Sequence, residues 1–250
     1  MTSVERFQAQ VVKLLGDIVN TQKDAFKEGA RMMADRVADG RVIYCMGTGG
    51  HSQLATSEAF IRAGGLACIY PIYIPGVSLM HTPSVSMVME RTCGYVGGII
   101  KNHGFSDGDL LLLFTPYGIN SLTVDACLAA QELGGEVLAI TSTSHADGLP
   151  VGHPARHPSN KNLYEIADHF IDCKMPYGDA VLDFDGLDTK VAASSSILVF
   201  FCLEALVAET VQELLRRGVK PEIWESINVP GGDERNQEYM RKYFHRIKSM

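Results

Sequence analysis

Short apolar segments alternate with helix-like segments through the middle of the sequence, and this alternation limits the fold more than any other feature. The segment 109–114 is the clearest strand, with four leucines and a phenylalanine in a row. Strands that are apolar throughout and separated by helices are typical of a parallel sheet covered on both faces. The sequence therefore predicts a doubly wound α/β fold with a parallel sheet of about five strands. The predicted strands are 41–46, 67–74, 109–114, 136–141 and 169–173.

Apolar residues spaced three and four apart predict helices before, between and after these strands. We expect one domain over residues 1–250, because no linker-like stretch or internal repeat interrupts the chain. The parts of this domain are a helical arm (1–40), an α/β core (41–190) and C-terminal helices (191–250). The segment 95–102 fits neither the strand nor the helix pattern clearly. The predicted helices are 3–38, 52–63, 122–133, 161–167, 191–217 and a tail from about 235.

The charge balance argues against nucleic acid as a partner. The 250 residues include 22 Lys and Arg against 29 Asp and Glu, a net charge of −7, and the basic residues are dispersed. Phosphate backbones select a dense basic face instead. The most apolar stretch, 194–210, is interrupted by Glu204, well short of the ~20 residues that a membrane helix needs. With a polar N-terminus and six dispersed cysteines, most of them expected to be buried thiols, we predict a cytoplasmic protein without a membrane partner.

A glycine-rich turn, GTGGHS, joins the first predicted strand to a helix. Glycines let the backbone approach a ligand, and the free N–H groups of a helix's first turn attract anions. The turn lacks the third glycine of a dinucleotide fingerprint and the lysine of a P-loop, so we expect no nucleotide cofactor. The alternative is a tight turn with no ligand. The candidate binding residues are Gly47, Thr48, Gly49, Gly50 and Ser52.

A second polar turn, TPYGINS, follows the strand 109–114 and also leads into a helix. Open α/β sheets bind ligands beyond the carboxyl ends of their strands, where both turns lie. The alternative is a helix cap supplied by Asn120 or Ser121, which accounts for one polar side chain of the turn but not four. The candidate binding residues are Thr115, Tyr117, Gly118, Asn120 and Ser121.

These two turns, in this order of strands and helices, resemble the sugar isomerase (SIS) domain. The chain is most similar to uncharacterised bacterial proteins related to phosphoheptose isomerase. The resemblance extends over nearly the whole chain and includes long polar strings that packing alone does not require. These are RAGGL (62–66), ARHPSNKNLYEIAD (155–168), PYGDA (176–180) and NVPGGDERN (228–236).

The resemblance implies a SIS-type, flavodoxin-like sheet that binds a phosphorylated or otherwise anionic sugar at its strand ends, in a homodimer or homotetramer. Phosphate-binding members carry Ser-x-Ser-Gly-x-Ser/Thr after the third strand. This sequence departs from that pattern, with Thr115 and Tyr117 at the two serine positions and Pro116 between them. Because a phenol projects further than a serine hydroxyl, the pocket is open to another anion such as a sulfonate. The late helical histidine of phosphoheptose isomerases has no counterpart in 191–210.

Moving a carbonyl between neighbouring sugar carbons requires a base, for which a carboxylate or imidazole is suited. Glu58 lies seven residues after His51, so both can face one side of the first crossover helix. The family uses a helix carboxylate in this neighbourhood, which makes Glu58 the preferred base and His51 a contact to the sugar. The alternative is a surface ion pair between Glu58 and Arg62.

A donor-rich loop at 152–161 is the third candidate region. A guanidinium there is suited to an anionic group, while a solvated loop is the alternative. Prolines prevent His153 and His157 from forming a helical H-x-x-x-H zinc site, and we predict no metal ion. The candidates are Arg156, His157, Ser159 and Lys161, with Asp179 as a further substrate contact.

These features predict an aldose–ketose isomerase that acts on an anionic sugar through an enediol. Two alternatives of the same fold stay open: a non-catalytic sugar-phosphate sensor, and a lyase of the etherase type. We expect no cofactor, and a small anionic sugar is the expected partner.

Overall fold

The computed structural model describes residues 1–80 and 82–250, and its centre is a five-stranded parallel sheet. The strand order is β2-β1-β3-β4-β5. The chain therefore places β2 on one side of β1, and then β3, β4 and β5 in turn on the other side. This is the flavodoxin-like order of doubly wound sheets, and the predicted fold class is confirmed. The strands are β1 (Ile43–Gly47), β2 (Ile69–Pro71), β3 (Leu110–Phe114), β4 (Glu136–Thr141) and β5 (His169–Asp172).

Helices cover the sheet on both faces, which is why β1 and β3 consist of fully buried residues. The helices are α1 (Ser3–Thr21), α2 (Lys23–Ala38), α3 (Ser52–Ala59), α4 (Pro83–Met89), α5 (Val96–Asn102), α6 (Ser121–Glu132), α7 (Thr143–Gly148), α8 (Leu163–Ile166), α9 (Ser195–Arg216) and α10 (Gly232–Tyr243). Gly29 allows close packing of α2, because a Cβ there would come within 3.2 Å of Leu138 in β4 and Leu206 in α9.

The predicted helix 3–38 is two helices, α1 and α2, separated at Gln22. Gln22 leaves the helical conformation with φ −112° and ψ 13°, and its side-chain oxygen accepts the N–H of Asp172 at the end of β5. A tertiary hydrogen bond therefore accompanies the break, and neither glycine nor proline marks it in the sequence.

The helix predicted over 52–63 ends at Ala59, because Phe60 is extended and Ile61 has a left-handed φ of 50°. The chain then pairs with the C-terminal region. Gly64 donates its N–H to the Trp224 carbonyl, and the Gly65 carbonyl accepts the Trp224 N–H. These bonds draw the chain away from the axis of α3.

Three further differences concern short elements. The ambiguous segment 95–102 is the helix α5, and the polar loop after β4 contains the helix α7. The helix predicted from residue 191 begins with a strand, β7 (Val191–Ala193), which pairs antiparallel with β6 (Ala180–Leu182). Strands of three residues carry too little periodicity to be recognised in a sequence.

In the described part of the chain, none of the helices has the length and apolar character needed to cross a bilayer.

Candidate functional site

A cavity of about 220 Å³ lies at the carboxyl ends of β1 and β3. These neighbouring strands pair in parallel, with Gly47 opposite Phe114 at their ends. Crossovers depart from the sheet in opposite directions at this point of a 2-1-3-4-5 order, which leaves a crevice between the loops. The turns at 47–52 and 115–121 form two of its walls.

The first wall folds tightly against the start of α3. A Cβ on Gly47 would overlap the carbonyl group of Ser52, so only glycine fits where β1 turns into the helix. His51 occupies the N-cap position of α3, and its side chain does not cap the helix. The N–H groups of Gln53 and Leu54 in this first turn donate instead to the backbone carbonyls of Gly49 and His51.

The second wall is joined to the first by a buried chain of hydroxyls. Thr123 of α6 lies 2.6 Å from the Thr48 hydroxyl and 3.4 Å from the Thr115 hydroxyl, measured between Oγ1 atoms. All three side chains are buried. Thr123 does not line the cavity, and its helix-like sequence context gave no sign of this role.

Asn120 stands at the N-cap position of α6, yet its side chain does not cap the helix. Its amide nitrogen donates instead to the Ala155 carbonyl at 3.0 Å. The helix-cap alternative for Asn120 is therefore wrong for its side chain, which ties the turn to the loop at 152–161.

Glu90, which the sequence analysis missed, also lines the cavity. Its Oε1 atom accepts the Gly50 N–H at 2.9 Å and the Ser86 hydroxyl at 3.2 Å. Its backbone carbonyl accepts the N–H of Leu122 at the start of α6. The surrounding region, rich in Met, Ser and Thr, gave no predicted element, so no pattern placed this carboxylate at the strand ends.

The third wall is the beginning of α9, where Ser195 and Ser196 reach the cavity. Asp179 holds this helix end: its carboxylate accepts the N–H groups of Ser194 and Ser195 at 2.8 and 2.7 Å. It also accepts the Ser195 hydroxyl at 2.8 Å. Asp179 lines the cavity as well, but most of its hydrogen-bonding capacity is used to position α9.

Tyr117 lies on the cavity wall against a buried histidine. The ring of His145 meets Tyr117 edge-on at 4.5 Å and stacks on Tyr177 at 5.4 Å, between ring centroids. Its Nδ1 accepts the Gly178 N–H at 3.3 Å. Burial lowers the pKa of His145, an effect that Asp179 opposes. Burial likewise raises the pKa of the Tyr117 phenol.

The structure brings most predicted residues of the two turns together. Gly47, Gly118 and Ser121 belong to the same turns and are buried, without lining the cavity. The predicted residues that line it are Thr48, Gly49, Gly50, His51, Ser52, Thr115, Tyr117, Asn120 and Asp179.

Glu58 does not line the cavity. Its carboxylate pairs with Arg62 at 3.0 Å across one turn, with about a quarter of the Glu58 side chain exposed. Burial and the nearby charge of Glu58 raise the pKa of Glu204 in α9. Within one chain, this geometry corresponds to the ion-pair alternative for Glu58.

The loop at 152–161 does not line the cavity either, and its role in anion binding stays a prediction. The buried guanidinium of Arg156 donates to the carbonyls of Ala146 and Leu149 and to the Asn162 side chain, so it holds the loop itself. His157 faces Asp125 at 3.2 Å. Ser159 and Lys161 are exposed.

One group of metal-ligand side chains lies outside the cavity. A ligand atom from each of Cys93, Asp125 and His157 lies within 4.8 Å of the other two. These residues are far apart in sequence, so no spacing motif predicts the group.

Comparison with known proteins places this geometry in context. Residues 6–142 match the model of the SIS domain. A UPF0309 protein of Halalkalibacterium halodurans is 31% identical over 92% of this chain and 93% of its own length. A UPF0309 protein of Shouchella clausii is 29% identical over the full length of both chains.

Solved structures share the fold. A phosphoheptose isomerase from Neisseria gonorrhoeae matches with a TM-score of 0.54 at 14% identity, covering 84% of this chain and 97% of that chain. A protein of E. coli CFT073, solved as a ligand complex, matches with a TM-score of 0.51 at 12% identity, covering 87% of this chain and 96% of that chain.

Two substitutions in the glycine turn test whether the packing of α3 against β1 requires a glycine at position 47. Gly47→Ala forces the start of α3 away from β1, so we expect the free energy of unfolding to fall by about 1–3 kcal/mol or more. Gly49→Ala is the matched control, because its Cβ would meet the Ser52 hydroxyl at 3.3 Å and nothing nearer. Urea denaturation measures both; equal stability of the two variants would contradict the assignment of Gly47.

The buried His145 should make stability depend on pH. Because its folded-state pKa is lowered, the unfolded chain takes up a proton first as the pH falls through the ordinary value of about 6.5. The free energy of unfolding is then fully retained above that pH and decreases below it. His145→Asn keeps an acceptor for Gly178 but cannot titrate, so its urea-denaturation profile should be flatter between about pH 7 and 5. Parallel profiles would exclude His145 as the cause.

Proposed function

The chain belongs to the SIS domain family and to the UPF0309 family, and from this premise we propose that it is an aldose–ketose isomerase acting on a phosphorylated or otherwise anionic sugar. The observation that carries the proposal is the meeting of two kinds of group in one cavity. Residues from two helix N-termini and hydroxyl groups, which are suited to an anion, line the same cavity as a carboxylate, Glu90, which is suited to proton transfer.

Neutral donors supply the anion-binding half of the proposed site. The side chains of the N-cap residues His51 and Asn120 do not cap α3 and α6, although backbone carbonyls accept several N–H groups of both first turns. Backbone N–H groups there carry the positive end of the helix dipole. Hydroxyls of Ser52, Thr115 and Ser196 are close by, and the described residues that line the cavity include no lysine or arginine. A phosphate or sulfonate would therefore be bound by N–H and O–H groups.

Glu90 is the proposed base. In the reaction, a carboxylate removes the proton from the carbon next to the sugar carbonyl and returns it to the neighbouring carbon, while the hydroxyl proton moves from one oxygen to the other through an enediol. No net oxidant or reductant is needed, because the two carbons exchange oxidation states. Glu90 lines the cavity and accepts the Gly50 N–H, whereas Glu58 pairs with Arg62 outside it. We propose His51 as a contact to the sugar oxygens.

The size of the cavity favours a small substrate. Its volume of 220 Å³ is below the ~300–1,000 Å³ usual for drug-sized ligands, which suits a monosaccharide derivative. Tyr117 projects its phenol into the wall where a serine hydroxyl is usual in phosphate-binding relatives, so a sulfonated sugar belongs in the substrate panel beside sugar phosphates.

We also propose that the protein is a homodimer or homotetramer. Exposed apolar side chains of α4, among them Met87 and Val88, lie on the helix that ends next to Glu90. A second copy covering them would border the proposed site. Light scattering should give a dimer or tetramer of the 27.3 kDa chain, and a monomer at all concentrations would contradict this proposal.

Solvent deuterium exchange at sugar C2 tests the reaction directly. Incubation with a panel of sugar phosphates and sulfonates should give exchange and aldose–ketose conversion for the wild type. Glu90→Gln keeps an acceptor for Gly50 but removes the base, so exchange should fall by roughly 10²–10⁴-fold while ligand binding persists. Glu58→Gln is the matched control and should retain activity.

Other outcomes of the exchange experiment would change the proposal in different ways. Loss of exchange in Glu58→Gln alone would reverse the assignment of the base and return it to α3. A ligand that binds without exchange would overturn the isomerase and favour the sensor alternative. Exchange followed by loss of a C3 substituent would favour the lyase alternative.

A further inference from the structure

Cys93, Asp125 and His157 form a cluster of three different metal-ligand types outside the cavity. The thiol, the carboxylate and the imidazole each offer an atom within 4.8 Å of the other two. Within this cluster, His157 Nε2 lies 3.2 Å from Asp125 Oδ1. None of the three residues lines the proposed sugar site. The proposed isomerase reaction therefore leaves this cluster unexplained.

The two ligands other than the thiol are held in place by their second atoms. Asp125 Oδ2 accepts the Gly94 N–H at 2.7 Å, which leaves Oδ1 directed at His157. His157 Nδ1 lies 2.7 Å from the Ser159 hydroxyl, and its backbone N–H donates to the Ile119 carbonyl. These contacts fix the orientation of the imidazole, so that Nε2 lies towards Asp125.

Nε2 is the nitrogen of His157 that is placed to bind a metal. Ser159 donates its backbone N–H to Nδ1 at 3.1 Å, and Nε2 lies 3.2 Å from Asp125 Oδ1. Nδ1 is therefore engaged within its own loop, and Nε2 is the atom that His157 offers to the cluster.

The thiol makes the cluster selective. The structure describes all six cysteines, and Cys93 alone among them is exposed. Thiolate and imidazole ligands select Zn²⁺, whereas Mg²⁺ and Ca²⁺ prefer sites made of oxygen atoms. Three protein ligands also leave one tetrahedral position for water.

We propose that Cys93, Asp125 and His157 bind one Zn²⁺ ion per chain. Each ligand is close in sequence to a residue that forms or joins the cavity walls: Cys93 follows Glu90 by three residues, and Asp125 follows Thr123 by two. His157 bonds to the residue before Asn120. An ion bound by Cys93 and Asp125 would tie the segment after α4 to α6.

Metal titration of the full chain, freed of metal by a chelator, tests this inference without reference to activity. Zn²⁺ in competition with a chromophoric chelator should bind at one ion per chain. Co²⁺ as a probe should give a sulfur-to-cobalt charge-transfer band. Cys93→Ser and His157→Gln should abolish the band and weaken Zn²⁺ binding by more than the roughly 10–100-fold expected for Ser159→Ala, which alters only the orienting bond.

His153→Ala is the matched control, since His153 is an exposed histidine of the same loop outside the cluster, and its affinity should match the wild type. Circular dichroism of the metal-free variants checks that all of them fold. Zn²⁺ binding that survives Cys93→Ser unchanged, or a Co²⁺ complex without the sulfur band, would overturn the proposal. The cluster would then be a contact between Asp125 and His157 with a neighbouring thiol.

Discussion

The parallel pairing of β1 with β3 is the constraint on which the rest of the site depends. It sets Gly47 opposite Phe114, so the two turns that follow begin side by side and then diverge with their crossover helices. Thr123 bonds to the hydroxyls of both turns and fixes their separation. Glu90 and Asp179 then add the remaining walls through backbone N–H groups of the loop and of α9.

The sheet and the two turns were predictable because their signals are local. An apolar run such as 110–114 predicts a buried strand. A glycine directly before a helix, such as Gly47, predicts a turn, and the structure shows that a Cβ would not fit there. Glu90 carries no local signal, because its position follows from the packing of α4 against the first turn. The break at Gln22 is tertiary in the same sense, since its bond partner lies 150 residues away.

The loop containing Arg156 shows that a donor-rich sequence does not by itself locate a binding site. The number of donors in a segment does not show which acceptors they bind. Here the guanidinium of Arg156 donates to the backbone carbonyls of Ala146 and Leu149. Glu58 shows a different limit of the sequence. Periodicity correctly placed it on α3, but a resemblance to a family that uses a helix carboxylate does not show which carboxylate of this chain lines the cavity. The Cys93 cluster joins three segments that only the folded chain brings together.

The bond between Gly50 N–H and Glu90 ties the first wall of the cavity to the end of α4. The same carboxylate oxygen accepts the Ser86 hydroxyl, so two parts of the fold hold Glu90 in place. Moving the carboxylate would leave the Gly50 N–H without this acceptor, and an unpaired polar group in a partly buried site costs about 1–3 kcal/mol. The fold itself therefore preorganises this carboxylate.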